Sequence, residues 1–277
     1  MLQNDQMKKL HLIIPFFRIL ITKPSILLKA IYHAVIKYDR KVWVSAKFKM
    51  SNGLPEIDIL DLFPNLHETV DPFSNLYGTS LPIDMAILKL FSKRFIDCDY
   101  LEIGAWRGES LANVAPLVRS CTSISLSDAD MKKYGWGEQF TKLQRLFSHP
   151  FQNINHIEAN SREFDFLKLK KKFDLIFIDG DHSFEGVKSD TENAFKLLKD
   201  ESSIIIWHDY TANYEHIDWE VFAGILAGAP HGKMNKIYHI SNSLCAIYLD
   251  SQIKSHRFIY PSYPDKNFKM EIRGERI

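Results

Sequence analysis

The stretch Tyr100-Leu101-Glu102-Ile103-Gly104-Ala105-Trp106-Arg107-Gly108-Glu109-Ser110 decides how the chain is read. A short apolar strand runs into a glycine turn, and the turn runs into the start of a helix. Gly104 lets the backbone turn sharply where strand meets loop, and Gly108 allows a ligand to come close to the main chain. A helix that begins behind such a loop points its N-terminus at the ligand, as in dinucleotide-binding units. The pattern here is Glu-x-Gly-x-x-x-Gly. It is neither the Gly-x-Gly-x-x-Gly of NAD-binding folds nor a P-loop with its Lys-Ser/Thr.

Around this loop, strands and helices alternate. Helical spacing is expected over 82–91, 110–118, 138–147, 164–169, 184–199 and 214–226, and strands over 100–103, 123–126, 154–157, 175–178 and 203–207. The runs Leu175-Ile176-Phe177-Ile178 and Ile204-Ile205-Ile206-Trp207 are apolar throughout, as central parallel strands covered on both faces should be. Strands over 236–240 and 244–249 are joined by Ser241-Asn242-Ser243, a hairpin-length connection. The expected class is α/β: a Rossmann-like, doubly wound parallel sheet that ends in an antiparallel hairpin.

A carboxylate at Glu102, just before the loop, would repel a phosphate and welcome a cationic amino-acid group. That is the chemistry of S-adenosylmethionine. Asp128 follows the second strand, where an acid can accept the hydroxyls of a ribose. The other reading is that Glu102 is a buried, hydrogen-bonded acid and Asp128 a turn residue. A second cluster lies after the central strands. Asp179-Gly180-Asp181-His182 ends one, and His208-Asp209 ends the next. In an open parallel sheet, ligands bind outside the carboxyl ends of adjacent strands, so both groups aim at one pocket. Asp181 or Ser183 could instead cap the helix that follows.

Together these motifs make 81–250 resemble the class I S-adenosylmethionine-dependent methyltransferases. Within them it is similar to a bacterial group with Asp-Gly-Asp-His and His-Asp at the strand ends, close to sugar and macrolide O-methyltransferases. The resemblance implies a seven-stranded fold with an antiparallel seventh strand. It implies cofactor contacts from Glu102, Gly104, Gly108, Ser110, Asp128, Asn160, Ser161, Asp179 and Asp181. It also implies His182 as general base, with Asp179 at the reaction centre, and Asp179, His208 and Asp209 as ligands for Mg²⁺ or another divalent cation. His208 departs from the carboxylate usual at its position. Imidazole favours transition metals or no metal, so metal dependence stays open.

The implied activity is methyl transfer to a sugar hydroxyl or similar small or glycan acceptor. A non-catalytic S-adenosylmethionine-binding module and a nucleic-acid methyltransferase are the alternatives. The latter lacks the Asn/Asp-Pro-Pro-Tyr/Phe element of base-methylating enzymes. Trp106, Tyr134, Trp136, Tyr210 and Trp219 could line an acceptor site, though such aromatics also build cores.

The 277 residues are 45% hydrophobic and 25% charged, which suits a globular protein and excludes a disordered chain. Three scattered cysteines fit neither a disulfide framework nor a zinc site, and point to a reducing, cytoplasmic setting. Residues 1–50 hold ten Lys and Arg against two acids, although the whole chain carries only +1. Leu10, Ile13, Ile14, Phe17, Ile21, Ile26, Leu27 and Ile31 interleave with these bases, the pattern of a cationic amphipathic segment. Such a head meets an anionic membrane face or packs on the body. The expected division is a basic helical extension (1–50), a connecting or capping segment (51–80), the cofactor-binding domain (81–250) and a tail (251–277). Oligomeric state is not legible.

Overall fold

The computed structural model describes residue 13 and residues 15–276. Leu10 and Ile14 of the expected amphipathic stripe lie outside them. Two helices come first, α1 (Pro15–Thr22) and α2 (Pro24–Phe48). Then follow β1 (Pro55–Ile57), α3 (Ile59–Leu62) and α4 (Pro82–Ser92). The core runs β2 (Asp99–Ile103), α5 (Glu109–Val114), β3 (Ser120–Ser125), α6 (Asp128–Lys133), α7 (Glu138–Thr141) and β4 (Ile154–Glu158). It continues through β5 (Leu175–Ile178), α8 (Phe184–Leu197), β6 (Ile204–Trp207), β7 (Thr211–Asn213), β8 (His216–Ile217) and α9 (Trp219–Gly228). The chain closes with β9 (Ile237–Ile240), β10 (Ala246–Tyr248) and β11 (His256–Arg257).

The main sheet has the order β11-β1-β9-β10-β6-β5-β2-β3-β4. β4, β3, β2, β5 and β6 are mutually parallel, and β10 enters antiparallel between β6 and β9. The expected doubly wound sheet with its terminal hairpin is therefore present. Successive side chains on a strand point to opposite faces, which sorts the core into two layers. Leu101, Ile103, Ile176, Ile178, Ile205 and Trp207 join the cluster with α8 and α9. Tyr100, Leu175, Phe177, Ile204 and Ile206 join the cluster with α4 and α5. β5 and β6 are buried along their whole length, whereas the edge strand β4 is only partly covered. α8 shows why the helices seat as they do. Ser183 Oγ caps it by accepting from the Gly186 N–H at 3.3 Å, and Val187, Thr191, Ala194 and Leu197 form the inward stripe.

Several expected boundaries move. The helix expected over 138–147 stops at Thr141, because the Arg145 and Phe147 N–H groups donate to the carbonyls of Trp106 and Arg107 at 2.7 and 2.9 Å. Tertiary pairing to the glycine loop outcompetes the helical ladder there. The helix expected from 214 starts at Trp219. Asn213 Oδ1 turns the chain by accepting from Glu215 N–H at 3.2 Å, and Asp218 caps α9 through Glu220 N–H at 3.0 Å. The connecting segment and the tail also build sheet. β1 pairs in parallel with β9, and β11 pairs with β1, so the hairpin is not the sheet edge. An uncovered β9 would leave a row of unpaired backbone groups, which these short strands satisfy.

Candidate active site

Gly104 sits at φ 100°, a left-handed value that disfavours any side chain. A Cβ there would collide with Gly180 Cα and with the Asp179 carbonyl. The glycine loop and the Asp179–Asp181 loop therefore touch backbone to backbone across β2 and β5. Gly108 sits at φ 83°, but the space above it is filled by Ser148 rather than held open. The expectation of a ligand over Gly108 is thus corrected: its freedom lets the 142–149 segment close on the loop.

Glu102 follows the second reading given for it, a buried and hydrogen-bonded acid. It is 1% exposed, and its oxygens accept from Tyr100 Oη and Ser110 Oγ, both at 2.7 Å. Burial pushes its carboxyl up to about 7, against the opposing pull of the two hydroxyls. Glu102 and Ser110 thus fasten the first turn of α5 to β2. Arg107 and Glu109 have a similar role. Their side chains pair at 2.6 Å, and Arg107 donates to the Tyr77 carbonyl at 2.8 Å, which holds the 74–79 stretch over the loop.

The exposed charges of the candidate site come from the ends of β5 and β6. Asp209 adopts φ 53°, a left-handed conformation that Asp tolerates, and this turns its carboxylate toward Asp179. His182 Nε2 lies 3.7 Å from Asp179 Oδ1 and 3.2 Å from Asp209 Oδ2, with about half its side chain exposed. Burial works against charge on His182, yet the two carboxylates raise it above its ordinary value. Burial would raise Asp179, but His208 and His182 hold it well below the usual carboxylate range.

His208 lies behind this pair, 9% exposed. Its Nε2 bonds to Asp84 Oδ2 at 3.1 Å, and its Nδ1 stands 3.2 Å from both Asp179 Oδ1 and Asp209 Oδ1. Burial opposes its charge, and three surrounding carboxylates override that and lift it well above the ordinary histidine range. His208 Nδ1 makes no well-formed hydrogen bond and lies between the carboxylates of Asp179 and Asp209, the two residues expected to share a cation with it. Asp179, His182 and Asp209 each offer a ligand atom, all within 4.8 Å of one another. Two carboxylates and one imidazole fit a divalent cation.

Asp84 escaped the sequence reading. It is fully buried on α4, and its Oδ1 accepts from Leu244 N–H at 3.1 Å. The signal was an acid inside the apolar run Pro82-Ile83-Asp84-Met85-Ala86-Ile87-Leu88. Asp181 turns back on its own loop, accepting from Ser183 N–H and Oγ at 2.9 and 2.8 Å, and so shapes the turn. Asp128 stands exposed at the first turn of α6, directly after β3, where it was expected. Asn160 donates to Tyr134 Oη and Glu163 Oε1, both at 3.3 Å, and Ser161 beside it is half-buried. Trp106 and Trp136 meet edge to face at 5.8 Å beside the glycine loop. Tyr210 is fully buried, and its hydroxyl accepts from Leu54 N–H at 2.8 Å, which makes it core.

The strand order and the glycine loop are those of a Rossmann-like α/β domain, with the acid–histidine cluster at the carboxyl ends of its adjacent strands β5 and β6. Residues 101–210 match the family model described as a methyltransferase domain. An uncharacterized protein of Acanthamoeba polyphaga mimivirus is 27% identical over 142 residues, which covers 49% of this chain and 63% of that protein. An amino pentose methyltransferase from Micromonospora echinaspora is 14% identical at a TM-score of 0.35, covering 47% of this chain and 51% of that one. An O-methyltransferase from Bacillus cereus is 15% identical at a TM-score of 0.44, covering 68% and 85%. The chain thus spans less than two thirds of the curated relative it matches.

Proposed function

We propose that this chain transfers the methyl group of S-adenosylmethionine to a hydroxyl of a sugar or a similar small acceptor. One observation carries the reading: the backbone contact between Gly104 and Gly180 places the donor loop directly beside the Asp179–His182–Asp209 cluster. The cofactor would lie over Gly104, with Asp128 toward its ribose and Asn160 and Ser161 toward its base. Asp179, whose backbone meets Gly104, is the carboxylate of the cluster beside the glycine loop and would favour a sulfonium over a phosphate.

Transfer is an in-line displacement in which the acceptor oxygen bonds to the methyl carbon as the carbon–sulfur bond breaks. An alcohol needs its proton removed on the way, and His182 Nε2 is the exposed nitrogen positioned to take it. Asp179 and Asp209 hold the ring and stabilise the imidazolium that forms. A base so placed contributes about 10²- to 10⁴-fold. A divalent cation held by Asp179, His182 and Asp209 would lower the pKa of the acceptor hydroxyl. His182 cannot then use the same nitrogen as base, so the two arrangements exclude each other. Small-molecule acceptors fit the half-exposed histidine, and the basic arm adds attachment at a membrane face.

Calorimetry with S-adenosylmethionine, its demethylated product and NAD tests the donor. Binding of the first two without the third is expected, and uptake of NAD alone would sink the reading. His182→Ala should lower turnover at least about 100-fold while cofactor affinity stays unchanged. Unchanged turnover would remove His182 from the mechanism.

A further inference from the structure

The arm formed by α1 and α2 carries a surface that the rest of the fold does not use. Of α2 only Val44 is buried, and every described residue from Ile13 to Val35 is exposed except Leu27, which is half-buried. Large apolar side chains stand in water along it: Phe17, Ile21, Ile26, Leu28, Ile31 and Val35 are each at least half exposed. Soluble surfaces rarely carry so long an apolar run without a partner. Arg18, Lys23, Lys29 and Lys37 are interleaved with them, and no acid occurs from Pro15 to Tyr38.

Among the described residues no single helix is long and apolar enough to cross a membrane. α1 and α2 reach that threshold only as a pair, and the pair is bent by 109°. A helix pair bent that far is suited to lying in an interface rather than to threading straight through it. The absence of acids also selects the partner. A second copy would bring its own cationic arm, whereas anionic headgroups complement this one.

The root of the arm fixes its direction. Lys37 pairs at 2.7 Å with Asp218, the cap of α9, and Arg40 lies 4.1 Å over the ring of Phe184. Phe184 is the first residue of α8, two positions after His182. Both helices begin at the strand ends that carry Asp179 and Asp209. α2 therefore meets the body at the rim of the acid–histidine cluster, and the residues before Lys37 leave from that rim.

We propose that the α1–α2 arm docks the protein on an anionic phospholipid bilayer, with its apolar side chains at the acyl boundary and the His182 rim turned toward the lipid. Docking of this kind is independent of methyl transfer and is read without any acceptor. The full chain is sedimented with vesicles of phosphatidylcholine alone or with about 30% phosphatidylserine. Binding at least about tenfold stronger to the anionic vesicles, and weakened by salt, is expected. A triple variant Ile21→Ser, Ile26→Ser and Ile31→Ser should lose it with an unchanged circular dichroism spectrum, because all three positions are exposed.

The three native cysteines are buried, so a fluorophore can be placed on an introduced one. A label at Tyr214→Cys, on the rim, should be quenched by brominated lipid, and one at Lys172→Cys, before β5, should not. Failure to bind anionic vesicles at low salt would overturn the proposal, as would binding undiminished in the triple variant. Self-association through the arm without vesicle binding would also overturn it. Equal quenching at both labels, or quenching at Lys172→Cys alone, would overturn the orientation.

Discussion

Replacing His208 with alanine strikes at the least exposed charge of the site. Asp84 is 0% exposed, and its side-chain bonds are one to His208 Nε2 and one to Leu244 N–H, both at 3.1 Å. Removing the imidazole leaves a carboxylate in the core with a single neutral donor. Breaking a buried pair by deleting one member costs about 3–5 kcal/mol, since the remaining charge keeps its desolvation penalty. In a chain of this size each kcal/mol shifts the melting temperature by about 2–4 °C, so a fall of about 6–20 °C is expected. The reciprocal change, Asp84→Asn, should cost less, because His208 keeps Asp179 and Asp209 at 3.2 Å. The double variant should be more stable than His208→Ala alone, by about 1–3 kcal/mol of coupling. Thermal and urea unfolding of the four proteins at one pH give the cycle. A His208→Ala protein within about 1 kcal/mol of the parent, or strictly additive losses, would refute the buried ion pair.

Asp190 gives a pH-dependent prediction. It is fully buried on α8 with neither oxygen in a well-formed hydrogen bond, and burial pushes it up to about 7 despite a nearby Ser161. An acid that binds its proton more tightly when folded contributes stability at low pH and loses it as pH rises from about 4 through about 7. Asp190→Asn should therefore flatten the decline in unfolding free energy between pH 5 and 8, by about 2–3 kcal/mol. Equal slopes in the two proteins would contradict this. Gly104→Ala should abolish cofactor binding and cost about 3 kcal/mol or more, from both left-handed strain and collision with Gly180. Gly232→Ala, where a Cβ meets nothing within 4 Å, is its neutral control under the same calorimetric and thermal assays.

The sheet was legible because β5 and β6 are unbroken apolar runs and the hairpin has a short polar connection. β1 and β11 were not, since strands of three and two residues carry no periodicity of their own. Their pairing is a property of the exposed flank of β9. At the site, strand ends identified Asp179, His182 and Asp209, but not which way each neighbour turns. The inward bond of Glu102 was one of its two readings, and its partner was within reach of the sequence. Residues 100 and 102 share one face of β2, and a tyrosine two positions before a buried acid can satisfy it. The role of His208 was hidden because Asp84 reaches it from a helix 124 residues earlier. No local pattern records a contact of that span.

The seam between Gly104 and Gly180 has a consequence for turnover. Two backbones in contact at the meeting of parallel strands leave no hinge between the glycine loop and the acid–histidine loop, so under the proposed reaction donor and base would keep their spacing through the cycle. In that reaction, entry and exit would take place around the perimeter, past the 74–79 strap that Arg107 and Glu109 tether and past the Trp106–Trp136 pair. Differences in the molecules admitted would be written in those peripheral segments, while the chemistry at the centre stays the same.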